Sequence, residues 1–173
     1  MNQGVDFMTH KEISINEINV NPVTMFSEGW AILTAGDKDS FNGMTVSWGA
    51  IGEIWGKASM FVFVRPQRYT HDFCEKSEYF TVSCFGGKNR EALSFFGSKS
   101  GRDFDKFKET GLTAKTDDGF VYCEEAELVF LCKKTAKTVL QPENFFDKAI
   151  DDCYRANDYH DIYVGEIVKV LVK

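Results

Sequence analysis

Proline is scarce in this chain: three in 173 residues, at Pro22, Pro66 and Pro142. No Pro/Gly/Ser-rich linker, repeat or low-complexity tract interrupts it, so residues 1–173 read as one domain. The three histidines and five cysteines include no C-x-x-C pair and no close Cys/His spacing, which removes the usual grounds for a structural zinc site; no metal is expected. The first twenty residues hold no apolar stretch long enough for a secretory signal. With an odd cysteine count, that reads as reduced, buried thiols in a cytoplasmic protein. No window supplies the roughly 18 apolar residues of a membrane helix, so no membrane partner is expected. Positive charge is also short. Twenty Lys and Arg against 26 Asp and Glu leave −6, which argues against sequence-independent binding to nucleic acid. A local phosphate site remains compatible with that balance. The abundant residue is phenylalanine, sixteen in all, which implies a thick core, a subunit interface, a flat ligand, or a mixture of these.

Short apolar runs rich in β-branched and aromatic residues dominate the chain, with clear alternation in the last of them. Strands are expected at Gly29–Ala35, Gly43–Ala50, Ala58–Val64, Tyr79–Phe85, Glu127–Cys132, Ala136–Leu140 and in the final segment from Asp161, with Gly36–Ser40 as a turn. Thr70 reads as the N-cap of a short helix, residues from Lys88 to Phe96 as a second helix, and GRDFDKFKET as a third that stops at Gly111. Pro142 fits the first turn of a helix over PENFFDKAI. In the last strand Ile162, Val164, Val168, Val170 and Val172 would share one face, interrupted by Glu166, and Gly165 marks a bulge or a close backbone approach. Strands with irregularly inserted helices and no βαβ rhythm point to a mainly antiparallel barrel.

One stretch is chemically distinctive. Arg65 ends an apolar strand, Pro66 sets the chain direction, and Arg68 follows just before Thr70. Two guanidinium forks at a helix N-terminus make a phosphate site; two surface arginines flanking a cap would read the same way. From Lys88 to Lys108 six basic residues face three acidic ones, and GSKSGRD within that run offers backbone N–H groups to an anion, or else simply forms a solvated basic face. Trp48 and Trp55 fit either core or a subunit interface, and Tyr69 either stacks on a ligand or anchors the helix. No triad, carboxylate pair or metal motif stands out.

Four segments in order, NGMTVSWGAIGEIWGK, RPQRYT, GSKSGRDFDK and HDIYVGEI, resemble the flavin reductase-like, FMN-binding split-barrel proteins, and among them the flavoredoxin-like branch. The resemblance implies a six-stranded antiparallel Greek-key split barrel with inserted helices. It also implies a homodimer holding FMN non-covalently near the subunit interface. By position, the segment Asn42 to Trp48 would run along the flavin ring, with backbone groups of Met44, Thr45, Val46 and Ser47 at its polar edge. Arg65, Arg68 and Thr70 would meet the phosphate and ribityl chain, and Ser98, Lys99 and Ser100 would form a further loop onto the cofactor. His160 aligns with a histidine that lies near the nicotinamide in related reductases. The implied activity is NAD(P)H-dependent reduction of FMN with electrons passed onward. The alternative is a flavoredoxin-like electron carrier, with little NAD(P)H activity of its own, fed by a redox protein partner. An oxidase or haem-handling relative on the same barrel is the third reading.

Overall fold

The computed structural model describes residues 9–173; the first eight residues of the N-terminal stretch read above lie outside it. Among the described residues the strands are β1 (Lys11–Ile13), β2 (Ala31–Gly36), β3 (Phe41–Val46), β4 (Gly49–Ile54), β5 (Lys57–Val64), β6 (Tyr79–Cys84), β7 (Ala114–Asp117), β8 (Phe120–Cys123), β9 (Leu128–Val139) and β10 (Asp161–Val172). The inserted helices are α1 (Pro22–Thr24), α2 (Tyr69–Lys76), α3 (Arg90–Ser98) and α4 (Lys106–Thr110). None of them is long and apolar enough to cross a membrane.

Eight strands form one antiparallel sheet in the order β3-β2-β6-β9-β10-β5-β4, with β1 beside the C-terminal half of β10. β7 and β8 pair only with each other. The sheet has two strands more than the six that the resemblance implies: β4, as long as β2, β3 and β6, lies beyond β5, and the short β1 lies beside β10. The sheet curls on itself but no ladder joins β3 to β4 or β5 among the described residues, although β3 and β5 approach one another there. The barrel is split at that seam.

Two apolar layers follow from strand parity. Ala31, Leu33, Met44, Val46, Met60, Val62, Phe80, Val82, Phe130, Tyr163 and Ile167 fill the interior. Ile32, Val129 and Leu131 point the other way, under α3 and the β7–β8 hairpin, against Leu93, Phe96, Phe120 and Tyr122. This second layer explains why β2, β6 and the first half of β9 are buried on both faces.

Turn chemistry joins these strands. Between β2 and β3 the Asp37 carboxylate accepts from the N–H groups of Asp39 and Ser40, both at 2.9 Å. Trp55 and Gly56, with φ of 59° and 72°, close β4 onto β5 as a two-residue loop, and Asp118–Gly119 does the same between β7 and β8.

Several local expectations differ from what forms. Glu127–Cys132 and Ala136–Leu140 are one continuous strand, β9. Thr70 lies inside α2, and Arg68 is the cap residue; the Thr70 hydroxyl instead accepts from Asn42 Nδ2 at 2.8 Å and ties α2 to β3. PENFFDKAI makes two 3₁₀ turns, Pro142–Asn144 and Lys148–Tyr154, because it has no apolar stripe to lay on the core: Phe146 is fully exposed, while Phe145, Tyr154 and Tyr159 stack on each other. In β10 the pairing register shifts between Val164 and Gly165 and again between Ile167 and Lys169. The first shift takes its extra residue, Thr135, from β9 and leaves β10 in phase, so Tyr163 and Ile167 both face the interior. The second places the extra residue, Val168, on β10 and reverses its parity, so Val170 faces the interior while Val168 is exposed, and the single apolar face from Ile162 to Val172 does not exist. A Cβ on Gly165 would lie 2.6 Å from the Phe80 ring. Four cysteines are buried as thiols, but Cys153 is exposed in the 3₁₀ segment.

Candidate functional site

An edge strand leaves alternate backbone N–H and C=O groups unpaired on its free side. β3 pairs only with β2, so its free groups face the split. There a cavity of about 230 Å³ is lined by Met44, Thr45, Val46, Ser47, Trp48, Phe63, Arg65, Arg68 and His160. The side chains of Met44 and Val46 belong to the interior, so these residues meet the cavity through their backbone. The Thr45 hydroxyl is spent on the Leu93 carbonyl. The Trp48 ring lies 5.0 Å from the His160 ring, with Phe63 edge-on to that imidazole at 6.2 Å. A polar strand edge beneath aromatic walls suits a flat conjugated ligand.

A second cavity, about 170 Å³, is lined by Asn42, Gln67, Arg68, Tyr69, Thr70, Ser98, Lys99, Ser100, Gly101 and Lys106. Arg68 walls both. Its guanidinium donates to the carbonyls of Gly97, at 2.7 Å, and Phe96, at 3.1 Å. Lys106 Nζ donates to the same Phe96 carbonyl at 3.1 Å. The negative end of α3 therefore holds two cations side by side. Lys106 is only 4% exposed. Burial, then the Arg68 charge, brings its pKa down to about 8, and burial followed by the Arg65 charge lowers that of Arg68. Neither cation meets a carboxylate among the described residues. A buried and a half-buried cation side by side without a counter-charge are costly unless an anion joins them. Close approach is built in: a Cβ on Gly101 would fall 2.0 Å from Asn42 Oδ1.

The two arginines paired by sequence spacing part company. Arg65 Nη1 donates to the Asp158 carboxylate, Nη2 to the Cys153 carbonyl at 3.0 Å, and the guanidinium sits 5.3 Å from the Tyr154 ring centre. Gln67 reaches the same Asp158 oxygen at 2.6 Å. Burial works to raise the Asp158 pKa, but these two donors outweigh it and hold it low. Arg65 thus lines the ring-shaped cavity and not the cationic one. His160 is buried, with Nδ1 2.9 Å from the Tyr154 hydroxyl, and burial followed by the Arg65 charge brings its pKa to about 4.

The basic run disperses as well. Lys88 pairs with Glu127, Arg90 stacks on Trp30 at 3.8 Å, and Arg102 pairs with Asp72 and covers Tyr69. The Ser98 hydroxyl donates to the Ser94 carbonyl and Ser100 Oγ accepts from the Arg102 N–H, which fixes the loop that carries Lys99. Lys106 is the residue that spacing does not single out. Nothing in the sequence separates it from Lys99, Arg102 or Lys108; only its burial does.

Two further features lie apart from the split. A larger cavity, about 560 Å³, is a mainly apolar recess beside Trp30, Arg90 and Glu127. His71, Glu75 and Asp161 converge as metal ligands might in another setting, but the Lys137 ammonium already bridges Glu75, at 2.8 Å, and Asp161, at 2.6 Å.

No curated protein matches this chain. Among solved structures it is similar to the flavoredoxin of Desulfovibrio vulgaris (Miyazaki F), with a TM-score of 0.66 and 20% identity, over 94% of this chain and 77% of that one. An FMN-binding domain of a flavin reductases-like enzyme from Shewanella baltica OS155 superposes with a TM-score of 0.65 at 14% identity, over 95% and 78% of the two chains. The NADH:FAD oxidoreductase of Streptomyces globisporus C-1027 gives 0.65 at 16% identity, over 86% and 79%. These likenesses carry the fold. A family model, the flavin reductase like domain, matches residues 23–173, the whole span from α1 through the split barrel to β10, and on that match the chain belongs to the flavin reductase-like family.

Proposed function

We propose that this chain holds FMN across the two cavities and acts as an oxidoreductase, taking electrons from NAD(P)H and passing them to an acceptor. The observation that carries this reading is the joint at Arg68: an aromatic slot and a cationic pocket meet at one side chain, which fits a ligand with a flat ring and an anionic tail. FMN, when bound, supplies the electron chemistry. The chain's own residues supply position and polarity. The free edge of β3, from Met44 to Ser47, would hold the polar rim of the ring, with Trp48, Phe63 and His160 along its sides. Arg68 and Lys106 would hold the phosphate, with Asn42, Thr70 and the Ser98-Lys99-Ser100 loop around it. Arg65, paired with Asp158, shapes the slot.

The kinship with an NADH:FAD oxidoreductase supports the reductase reading, and that with a flavoredoxin supports the carrier reading. A second observation favours the carrier. Trp48, at the mouth of the slot, is 45% exposed, so another macromolecule can approach the site. A separate exposed region supports a homodimer: Trp55, in the β4–β5 turn, is 63% exposed, and Phe61 lies on the outer face of β5, opposite in parity to Met60 and Val62. Sedimentation equilibrium of the FMN-loaded protein giving only a 19.7 kDa species would remove the dimer. Anaerobic mixing of FMN-loaded protein with NADH, and separately with NADPH, tests the rest. Loss of the oxidised flavin absorbance supports the reductase. Persistence with both nicotinamides leaves the carrier, and failure to retain FMN at all sinks both.

A further inference from the structure

His160 is anchored through one nitrogen. Nδ1 lies 2.9 Å from Tyr154 Oη, whereas Nε2 has no protein partner among the described residues and the ring lines the aromatic slot. Tyr154 is itself rigidly held. It is 3% exposed, stacks between Phe145 and Tyr159 at 5.7 and 4.7 Å, and carries the Arg65 guanidinium over its ring. Its hydroxyl has no other partner among the described residues.

The two possible directions of that hydrogen bond are not equivalent. A phenol is a good donor and a poor acceptor, while the bare imidazole nitrogen is a good acceptor. Were Nδ1–H the donor, the buried phenol proton would be left with nothing to bond. We propose that Tyr154 donates to Nδ1 of His160 and so fixes the imidazole as its neutral Nε2–H tautomer, a hydrogen-bond donor aimed into the slot. Tyr154 is then a positioning residue, and His160 is a donor to a carbonyl oxygen and not a proton-transfer group.

The charges around the ring agree. Arg65, just past the end of β5, opposes an imidazolium. Asp158 is taken by Arg65 and Gln67, and Asp161 on β10 by His71, at 2.7 Å, and Lys137. The Asp158 and Asp161 charges favour a proton on the ring, but neither carboxylate bonds to it and burial and the Arg65 charge outweigh them, so the ring stays neutral to about pH 4. The class of ligand, a carbonyl on the flavin ring or on a nicotinamide carboxamide, rests on the function proposed above; the tautomer does not.

The test is nitrogen NMR of imidazole-labelled, FMN-loaded protein between pH 5.5 and 8, with His160→Gln assigning one of the three histidines by its disappearance. The expected result is a neutral ring protonated at Nε2 throughout, which loses its fixed tautomer in Tyr154→Phe while the His10 and His71 signals stay in place. A ring protonated at Nδ1, a cationic ring at pH 6.5, or an unchanged tautomer in Tyr154→Phe overturns the inference. If Tyr154→Phe does not fold, the wild-type spectrum still decides the direction. A side-chain pair then decides its use. Glutamine places an N–H near the Nε2 position and asparagine near Nδ1, so His160→Gln should turn over NAD(P)H about tenfold faster than His160→Asn, the worth of one hydrogen bond. Equal rates overturn the donor role. Adding a nonreactive nicotinamide analogue after FMN shows, from the Nε2–H shift, whose carbonyl takes the bond. Loss of the reductase reading would leave the wild-type nitrogen shifts as they are, so the two failures are distinguishable.

Discussion

Lys106→Met is the most informative single substitution in the cationic pocket. Methionine keeps an unbranched chain of similar volume in a site only 4% exposed, and removes the charge alone. The Phe96 carbonyl is not orphaned, because Arg68 still donates to it at 3.1 Å. An ammonium whose pKa has been brought down to about 8 by burial is a cost to the fold, so the ligand-free variant should melt no lower than wild type. FMN binding should suffer. A hydrogen bond to a charged partner contributes about 1.5–3 kcal/mol net, so the dissociation constant should rise about 10- to 150-fold. Riboflavin shares the ring and ribityl chain and lacks the phosphate, and its affinity should not change. The pH dependence has a definite sign. Free Lys106 is half neutral near pH 8, whereas a phosphate dianion favours the ammonium. Wild type should therefore take up protons on binding FMN above that pH, and its affinity should fall as pH rises through 8; the variant should lose that arm. Flavin fluorescence titrations with both ligands, and calorimetry in buffers of different ionisation enthalpy, read these effects. Equal losses for FMN and riboflavin, or a pH arm that survives the substitution, would show that Lys106 does not face the phosphate.

The two arginines should behave differently. Arg68→Ala should weaken FMN at least 100-fold and riboflavin far less, with Arg68→Lys recovering only part, whereas Arg65→Ala should weaken both ligands about equally because Arg65 lines the ring cavity; parallel titrations decide. Gly165→Ala would push a methyl to within 2.6 Å of the Phe80 ring and 2.9 Å of Cys132 Cβ, and should cost about 1–3 kcal/mol in denaturant unfolding; an unchanged midpoint would mean that β10 can shift freely there. His160 must gain a proton on unfolding, since its pKa is about 4 in the fold and near 6.5 in the free chain. Its contribution is thus complete above pH 6.5 and declines as pH falls toward 4. Denaturation midpoints of wild type and His160→Gln should converge over that window, and parallel curves would refute the assignment.

The antiparallel, mainly β character of this chain is a local property, and so it was legible. Runs of β-branched and aromatic residues, the Gly36–Ser40 turn and Gly111 after a short helix act over a few residues, and pattern alone reports them. The hairpin Asp118–Gly119 was equally legible, since such a dipeptide adopts the positive φ that a two-residue loop demands, but its flanking strands are only four residues each and carry little alternation. The family resemblance also implied that the strand edge Asn42–Trp48, Arg68, Thr70 and the Ser98–Ser100 loop share one site, and the fold brings them together at the split. The tertiary structure alone decided the rest. A bulge at Val168 resets the parity of β10, and a second at Thr135 shifts β9 beside Gly165, where the Phe80 ring packs close to the backbone; both are set by the pairing of the two long strands. Arg65 finds Asp158 from 93 residues away, and that pairing removes it from the cationic pocket. Lys106 enters the pocket because α4 packs behind the end of α3, not because of any neighbour in sequence. Which of many cations is buried without a counter-charge is a question of desolvation, and desolvation exists only once the chain has folded around the group.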